Sequence, residues 1–177
     1  MLSESIGPPQ IAAIALLLQR GAEELHSARN MRRLIAAGGH EEGRDYYPVV
    51  AVAHLAWIAA VFFLIPPTAA IIWPVLILFL LLQPVRYWVI GTLGRYWTHR
   101  IITLRQAPVV RRGPYRFLRH PNYAVTFAET FLLPLAFGAV ALAIIMTAIW
   151  VAVISYKIVL EERALSGRRE PDAPGSA

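Results

Sequence analysis

Apolar residues form long runs in the sequence, separated by short polar stretches. Two of these runs follow one another directly in the first half of the chain. Residues 48–65 and 69–90 are each close to about 20 residues, the length of helix that crosses about 30 Å of hydrocarbon. Between them stands Pro66-Pro67, which cannot continue a helix and predicts a tight turn. These runs predict two consecutive membrane helices.

A longer apolar block covers residues 121–160 and is interrupted at Pro134 and Gly138. Its length predicts a helical hairpin with one short arm and one long arm. Residues 8–26 form the weakest candidate span, because charged residues enter this run from Arg20 onward. The pattern as a whole predicts an all-α, polytopic membrane bundle of about five segments.

Composition agrees with a membrane protein of one domain. Hydrophobic residues make up 57% of the 177 residues and charged residues only 16%, whereas soluble domains carry about 25% charged residues. Cysteine is absent, which excludes disulfides, thiolate metal ligands and a cysteine nucleophile. Residues 166–177 are small and polar, so they predict a disordered tail.

The basic residues are placed unevenly. All 17 lie in three places: at or after the end of the first segment, from the end of the third segment to the start of the fourth, and at or after the end of the last one. None lies in the two predicted turns. Because Lys and Arg near helix ends stay in the cytoplasm, this placement predicts an outside N-terminus and a cytoplasmic C-terminus. Arginines so placed suit anionic lipid headgroups rather than nucleic acid. Their excess over lysine indicates a GC-rich bacterial genome, so we expect a protein of the bacterial inner membrane.

Residues 91–120 alternate aromatic and arginine side chains, a pattern typical of a segment that lies at the membrane interface. The segment leads into the start of an apolar helix, where Pro121 suits the first helical position and His120 can cap free backbone donors. Such a helix start suits a carboxylate or phosphate. The other four histidines lack metal-ligand spacing and are interpreted as structural or interfacial: His26, His40, His54 and His99.

Polar residues also occur inside the predicted membrane helices. Asn122, Thr126, Glu129 and Thr130 share one face of segment four. Because a carboxylate in a membrane is costly, Glu129 is either functional or the structural partner of an arginine such as Arg86, and both interpretations stay open.

Two further polar groups occur near the helix ends. Gln83, Arg86 and Tyr87 can face the same cavity, and Lys157 and Glu161 are one turn apart near the end of the last helix. Together the polar groups fit S-adenosylmethionine, whose carboxylate suits basic residues, whose amine suits carboxylates and whose sulfonium suits aromatic faces.

A pair of motifs resembles the isoprenylcysteine carboxyl methyltransferase family and the related membrane phospholipid methyltransferases. The resemblance covers residues 84–165 and rests on these positions: Gly113, Tyr115, Arg119, His120, Pro121, Tyr123, Glu161, Glu162 and Leu165. It implies that the loop before segment four and the glutamate pair surround S-adenosylmethionine. The expected cofactor contacts are Tyr115, Leu118, Arg119, His120, Pro121, Asn122, Tyr123, Glu161 and Glu162.

The candidate catalytic residues are Lys157, Glu162, Glu129 and Arg86. In eukaryotic members a basic residue at the position of Lys157 is associated with the methyl acceptor, and the family commonly has arginine there. Because lysine cannot offer the same bidentate fork, this difference argues against a prenylcysteine carboxylate as acceptor.

We therefore expect an integral membrane methyltransferase that uses S-adenosylmethionine, releases S-adenosylhomocysteine and needs no metal. Its expected acceptor is a small lipophilic molecule, O-methylated at a carboxyl or hydroxyl group on the cytoplasmic face. Phospholipid N-methylation is the main alternative, and a membrane reductase or a non-catalytic lipid-binding protein are further ones. Residues 1–83 would be N-terminal membrane helices and residues 84–165 the methyltransferase core.

Overall fold

A computed structural model of the chain describes residues 6–104, 107 and 110–166, with side chains as far as Glu162. Five α-helices and one two-stranded sheet make up this part of the chain: α1 (Pro8–Ala36), β1 (His40–Glu42), α2 (Tyr47–Leu64), α3 (Trp73–Leu93), β2 (Ile101–Thr103), α4 (Pro121–Leu135) and α5 (Val140–Ser166). The predicted helical membrane bundle is confirmed. Apart from Ser166, which ends α5, the predicted tail lies outside the described residues.

Proline marks most of the helix starts. Four helices have a proline at their first or second position: Pro8, Pro48, Pro74 and Pro121. At these positions a backbone N–H would have no intrahelical acceptor, so proline loses no hydrogen bond by lacking it. The predicted hairpin in residues 121–160 is present, with a turn whose Gly138 has a φ of +73° that disfavours other residues.

Three helices of the described chain are long and apolar enough to cross a membrane: Arg44–Leu64, Trp73–Tyr96 and Val140–Glu162. Most of their apolar side chains stay on the outside of the bundle, including Leu78, Leu81 and Ile145, each more than half exposed. Such a surface needs lipid to cover it. The short arm α4 has 15 residues, too few for a full span.

Helix α1 differs from its prediction, because it continues past residue 26 to Ala36. The charged positions that weakened the prediction turn inward: Arg20 and Glu23 are buried, as are Ser27 and Asn30. The polar residues therefore do not end the helix, since their partners lie inside the bundle.

The helices enclose an apolar core. Helix α1 packs on α2, α2 on α5, α3 on α4 and α4 on α5. Trp57 and Val61 of α2 meet Leu133 of α4 in this core, all without solvent exposure. The Ile72 N–H ahead of α3 donates to the Ala136 carbonyl oxygen at 2.8 Å, which fixes the start of α3 to the end of α4.

Gln10 joins the start of α1 to the end of α2. Its Nε2 donates to the carbonyl oxygens of Phe62 (2.8 Å) and Ile65 (2.9 Å), and its Oε1 accepts from the Gly7 N–H (3.1 Å). Carbonyls in the last turn of a helix lack intrahelical donors and are costly to leave unpaired in an apolar environment. Gln10 therefore supplies the hydrogen-bond donors for two carbonyls at the C-terminal end of α2.

The small sheet is the part of the fold that the sequence did not predict. Strand β1 pairs antiparallel with β2, with Glu41 opposite Ile102. Strands of three residues are too short to show an alternating pattern. The pairing brings the chain after α1 beside the chain after α3.

Replacing Gln10 tests this connection. Gln10→Ala is expected to lower the free energy of unfolding by about 1–3 kcal/mol, because two buried carbonyls lose their donor. Unfolding in mixed detergent micelles measures the change. Thr68→Ala, at an exposed position, is the matched control and is expected to stay within about 0.5 kcal/mol of the parent protein. Equal losses in both variants would show that Gln10 does not connect the helices.

Candidate functional site

The first of two polar clusters lies inside the helical bundle and consists of four charged side chains from three helices: Arg20 and Glu23 of α1, Arg86 of α3 and Glu129 of α4. Arg86 binds Glu23 through two parallel hydrogen bonds of 2.7 and 2.6 Å, and its Nη1 lies 3.2 Å from the Glu129 carboxylate. Arg20 joins the same two carboxylates at 2.7 and 2.8 Å. We call this group the charge quartet.

The charge quartet is deeply buried and electrically balanced. Its side chains are between 0% and 9% exposed, and the two guanidinium groups match the two carboxylates. Gln83 donates to Glu129 at 3.1 Å, and Arg86 also donates to Thr126 at 3.2 Å. A lone charge in this place would be very costly, whereas a hydrogen-bonded neutral set is tolerated.

The quartet bears on the two interpretations that were open for Glu129. Both Glu129 and Arg86 were candidate catalytic residues, and the structure places their charged groups against each other and the α1 residues. Of the neighbours expected to share their cavity, Gln83 contacts Glu129, but Tyr87 is 56% exposed and faces outward. The contacts favour the structural interpretation, and catalytic roles for Glu129 and Arg86 stay predictions.

The second cluster lies where the start of α4 meets the end of α5. The Tyr123 hydroxyl donates to Glu161 Oε2 at 2.8 Å, and His120 Nδ1 lies 3.6 Å from the same oxygen. The His120 and Tyr123 rings are stacked with centroids 5.4 Å apart. Residues that are about forty positions apart in the sequence are therefore in contact. We call Tyr115, His120, Tyr123 and Glu161 the α4–α5 cluster.

Tyr115 enters this cluster from the single 3₁₀ turn Gly113–Arg116 that precedes α4. Burial, together with the nearby Glu161 carboxylate, raises the pKa of Tyr115. Its hydroxyl is therefore protonated at neutral pH and can donate a hydrogen bond. Next to the cluster, the buried Asn122 Oδ1 has no hydrogen-bond partner among the described residues.

Three of the expected cofactor contacts lie on the outer side instead. Leu118 is 54% exposed, and Arg119 forms a loose 3.8 Å ion pair with Glu162 in which both side chains are mostly exposed. The sequence predicted Glu161 as a cofactor contact and Glu162 as both a cofactor contact and a catalytic residue. The structure turns Glu161 inward and Glu162 outward, and the catalytic role of Glu162 stays a prediction. Pro121 takes the first helical turn as expected.

His120 needs one correction. It is the N-cap residue of α4, but its side chain makes no capping hydrogen bond. Its backbone carbonyl accepts the Tyr123 N–H at 3.1 Å instead, which leaves the imidazole free to stack on Tyr123 and approach Glu161.

Lys157 connects this cluster to residues before it in the chain. Its Nζ donates to the backbone oxygen of His99 at 2.7 Å and lies 5.4 Å from the centre of the Tyr123 ring. The sequence suggested pairing with Glu161, one turn away, but the bond that Lys157 makes in the structure is to the chain after α3.

His99 is a residue whose surroundings sequence reasoning missed. Its Nδ1 lies 2.7 Å from Glu24 Oε2 of α1, and its backbone N–H donates to Ser27 at 2.8 Å. No local spacing relates Glu24 to His99, since the pair forms only when α1 packs against the chain after α3. The polar residues at 20, 23, 27 and 30 of α1, spaced three or four apart and with Glu24 next to them, were the available signal of an inward polar face.

Comparison with known proteins gives two matches. The model of the isoprenylcysteine carboxyl methyltransferase (ICMT) family matches residues 75–167, which include the α4–α5 cluster. The chain is 30% identical over 154 residues to the uncharacterized protein YpbQ of Bacillus subtilis (strain 168), covering 85% of this chain and 92% of that protein. No solved structure matches the chain significantly.

The charge quartet predicts a large effect on stability. Glu129→Gln keeps the side-chain size but leaves two buried guanidinium groups with one carboxylate, so we expect the free energy of unfolding to fall by about 3–5 kcal/mol. Glu42→Gln, at an exposed position, is the control. Thermal unfolding in detergent compares the two variants. If Glu129→Gln unfolds like the parent protein, the structural interpretation of the quartet is wrong.

Proposed function

The chain belongs to the isoprenylcysteine carboxyl methyltransferase family, whose members are membrane methyltransferases, and on this basis we propose the reaction of this protein. It transfers a methyl group from S-adenosylmethionine to an oxygen atom of a small lipophilic acceptor at the cytoplasmic face of the membrane. The observation that carries the proposal is the α4–α5 cluster. There the two halves of the family motif meet through the 2.8 Å bond from Tyr123 to Glu161.

The residues present fit S-adenosylmethionine. The Glu161 carboxylate and the unpartnered Asn122 Oδ1 are acceptors suited to an ammonium group or to ribose hydroxyls. The stacked rings of His120 and Tyr123 offer an aromatic surface to a positively charged sulfur. The protonated Tyr115 hydroxyl is a donor at the edge of the same cluster. Bound S-adenosylmethionine supplies an electrophilic methyl group on a sulfonium.

The membrane surroundings support a lipophilic acceptor. Helices α3 and α5 present broad apolar faces to lipid, and the α4–α5 cluster lies near the end of the apolar span of α5. A molecule dissolved in the bilayer can therefore reach the cluster by moving sideways between helices. The soluble cosubstrate would enter from the cytoplasm beneath the arginine-rich segment before α4.

The charge quartet weakens the case for phospholipid N-methylation. Methylation of a headgroup amine would favour a carboxylate-rich acceptor side, and Glu129 and Glu162 are the carboxylates considered for it. Glu129 is bound by two arginines, and Glu162 is more than half exposed on the outside of the bundle. O-methylation therefore remains the better-supported reaction.

The cofactor part of the proposal is tested by titrating the purified protein in detergent with S-adenosylhomocysteine. We expect Glu161→Gln to weaken binding by about 10-fold or more, because a hydrogen bond to a charged group contributes about 1.5–3 kcal/mol. Glu162→Gln is expected to have the smaller effect, because its side chain faces outward. Tyr96→Phe is the control outside the cluster. Unchanged affinity in Glu161→Gln, or equal losses in all three variants, would contradict this site.

The reaction itself is tested with membranes that contain the protein and S-adenosylmethionine labelled in its methyl group. We expect label in the lipid extract of these membranes, with much less in membranes that carry Glu161→Gln at equal protein level. Binding of S-adenosylhomocysteine without any labelled lipid would contradict methyl transfer to a bilayer-dissolved acceptor.

A further inference from the structure

His99 is held in place from several directions. Its imidazole Nδ1 lies 2.7 Å from Glu24, its N–H is bound by Ser27, its carbonyl accepts from Lys157, and its ring packs edge-on against Trp97 with centroids 4.7 Å apart. Both α1 and α5 therefore orient one histidine in the segment between α3 and α4. These four contacts fix both the backbone and the ring of His99.

The contact with Glu24 determines which ring nitrogen is free. An ionised carboxylate can only accept, so Nδ1 carries the proton of this bond and Nε2 presents a lone pair. Among the described residues nothing forms a hydrogen bond with Nε2. Burial lowers the pKa of His99 despite the neighbouring Glu24 carboxylate, so the ring is neutral at pH 7. A neutral histidine that a carboxylate orients is the arrangement of a general base.

Lys157 joins His99 to the site of the proposed reaction. Lys157 Nζ contacts the His99 carbonyl on one side and the Tyr123 ring on the other. A small cavity of about 10 Å³ lies where the small sheet meets the start of α2 and the last part of α5. It is lined by His99 and Lys157 together with Tyr47 and the charged residues Glu41, Glu42 and Arg100. This volume is about that of one water molecule or one hydroxyl group. The carbon skeleton of an acceptor would have to lie outside it.

We propose that His99, oriented by Glu24, is the general base for a neutral hydroxyl acceptor, so that the substrate is a lipophilic phenol, enol or alcohol and the product is a methyl ether. The inference rests on the proposed methyl transfer and narrows its substrate class. An acceptor carboxyl group is already ionised at neutral pH and has no need of such a base.

The atoms balance within this step. The acceptor oxygen forms a bond to the methyl carbon while the bond from that carbon to sulfur breaks, and the electron pair of the broken bond stays on sulfur. The acceptor O–H proton moves to His99 Nε2. The positive charge of the sulfonium thereby ends on the imidazolium, which Glu24 stabilises and which then releases its proton to the cytoplasm.

Three variants test the base in the labelled-methyl assay, with the lipid extract of the parent membranes as the acceptor pool. His99→Gln is expected to lower kcat by about 10²–10⁴-fold at pH 7, the usual contribution of a general base, while S-adenosylhomocysteine affinity stays within about 2-fold. Glu24→Gln keeps the ring and should give a smaller loss. His26→Gln is the matched control, because His26 also packs on Trp97 but, within the part of the chain that the structure describes, its side chain hydrogen-bonds to Asn30 alone.

The pH profile separates a base from a structural histidine. The charged and titratable groups that face His99 come from every element packed against it: Glu23 and Glu24 of α1, Tyr47 and His54 of α2, Lys157 of α5, and Glu41, Glu42 and Arg100 of the small sheet and the residues next to it. In the parent protein, activity should rise with pH through the His99 pKa and then level off. In His99→Gln, activity should keep rising at higher pH, as the acceptor itself ionises. A loss that does not depend on pH would overturn the proposal.

The chemistry of the product gives an independent answer. Alkali releases labelled methanol from a methyl ester but leaves a methyl ether intact, so we expect the label to stay in the lipid phase. Volatile label would mean a carboxyl acceptor and would overturn the inference while leaving methyl transfer in place. Absence of labelled lipid in membranes with the parent protein would instead contradict the proposed function.

Nitrogen NMR of ¹⁵N-histidine-labelled protein tests the protonation of the His99 ring directly. A neutral His99 that carries its proton on Nε2 would also overturn the proposal.

Discussion

The charge quartet is the interaction on which the rest of the structure depends. Four ionised side chains lie inside a bundle whose outer surface is apolar, and they are tolerated because the two arginines and two glutamates neutralise one another at 2.6 to 3.2 Å. No member can move without leaving a buried charge unpaired. The quartet therefore sets how α1, α3 and α4 lie against each other, and the site residues follow from that arrangement.

Helix α1 acts beyond the quartet. Asn30 donates to the carbonyl oxygens of Gly94 and Trp97, Ser27 accepts the His99 N–H, and Glu24 binds the His99 ring. These contacts hold the chain that follows α3 along the length of α1. The family match begins at residue 75, so α1 lies before the matched region and yet orients the segment next to its motifs. The N-terminal helices are thus structural support for the site rather than membrane anchors alone.

The cluster at the ends of α4 and α5 suits a reaction that depends on positioning. Methyl transfer between two bound molecules needs alignment and exclusion of water, and an aligned pair can react at an effective concentration of about 10⁵–10⁸ M. The hairpin supplies that alignment, since α4 and α5 pack against each other and present Tyr123 and Glu161 at the same end. A hydroxyl acceptor adds one requirement, a place for its proton, and the proposed recipient is His99, which Lys157 joins to the Tyr123 ring.

The sequence by itself determined the helices, their turns and the family. Long apolar runs and prolines are local properties, so the hairpin at residues 121–160, the turn at Pro66-Pro67 and the motif pair could all be identified without coordinates. It could not determine the end of α1, because charged residues interrupt an apolar run whether they face solvent or one another. Only the tertiary structure decided that Glu129 pairs with arginines, that Glu161 rather than Glu162 turns inward, and that Glu24 meets His99. Each of these depends on which helices lie side by side, since the charge and burial of a side chain are set by neighbours far away in the chain.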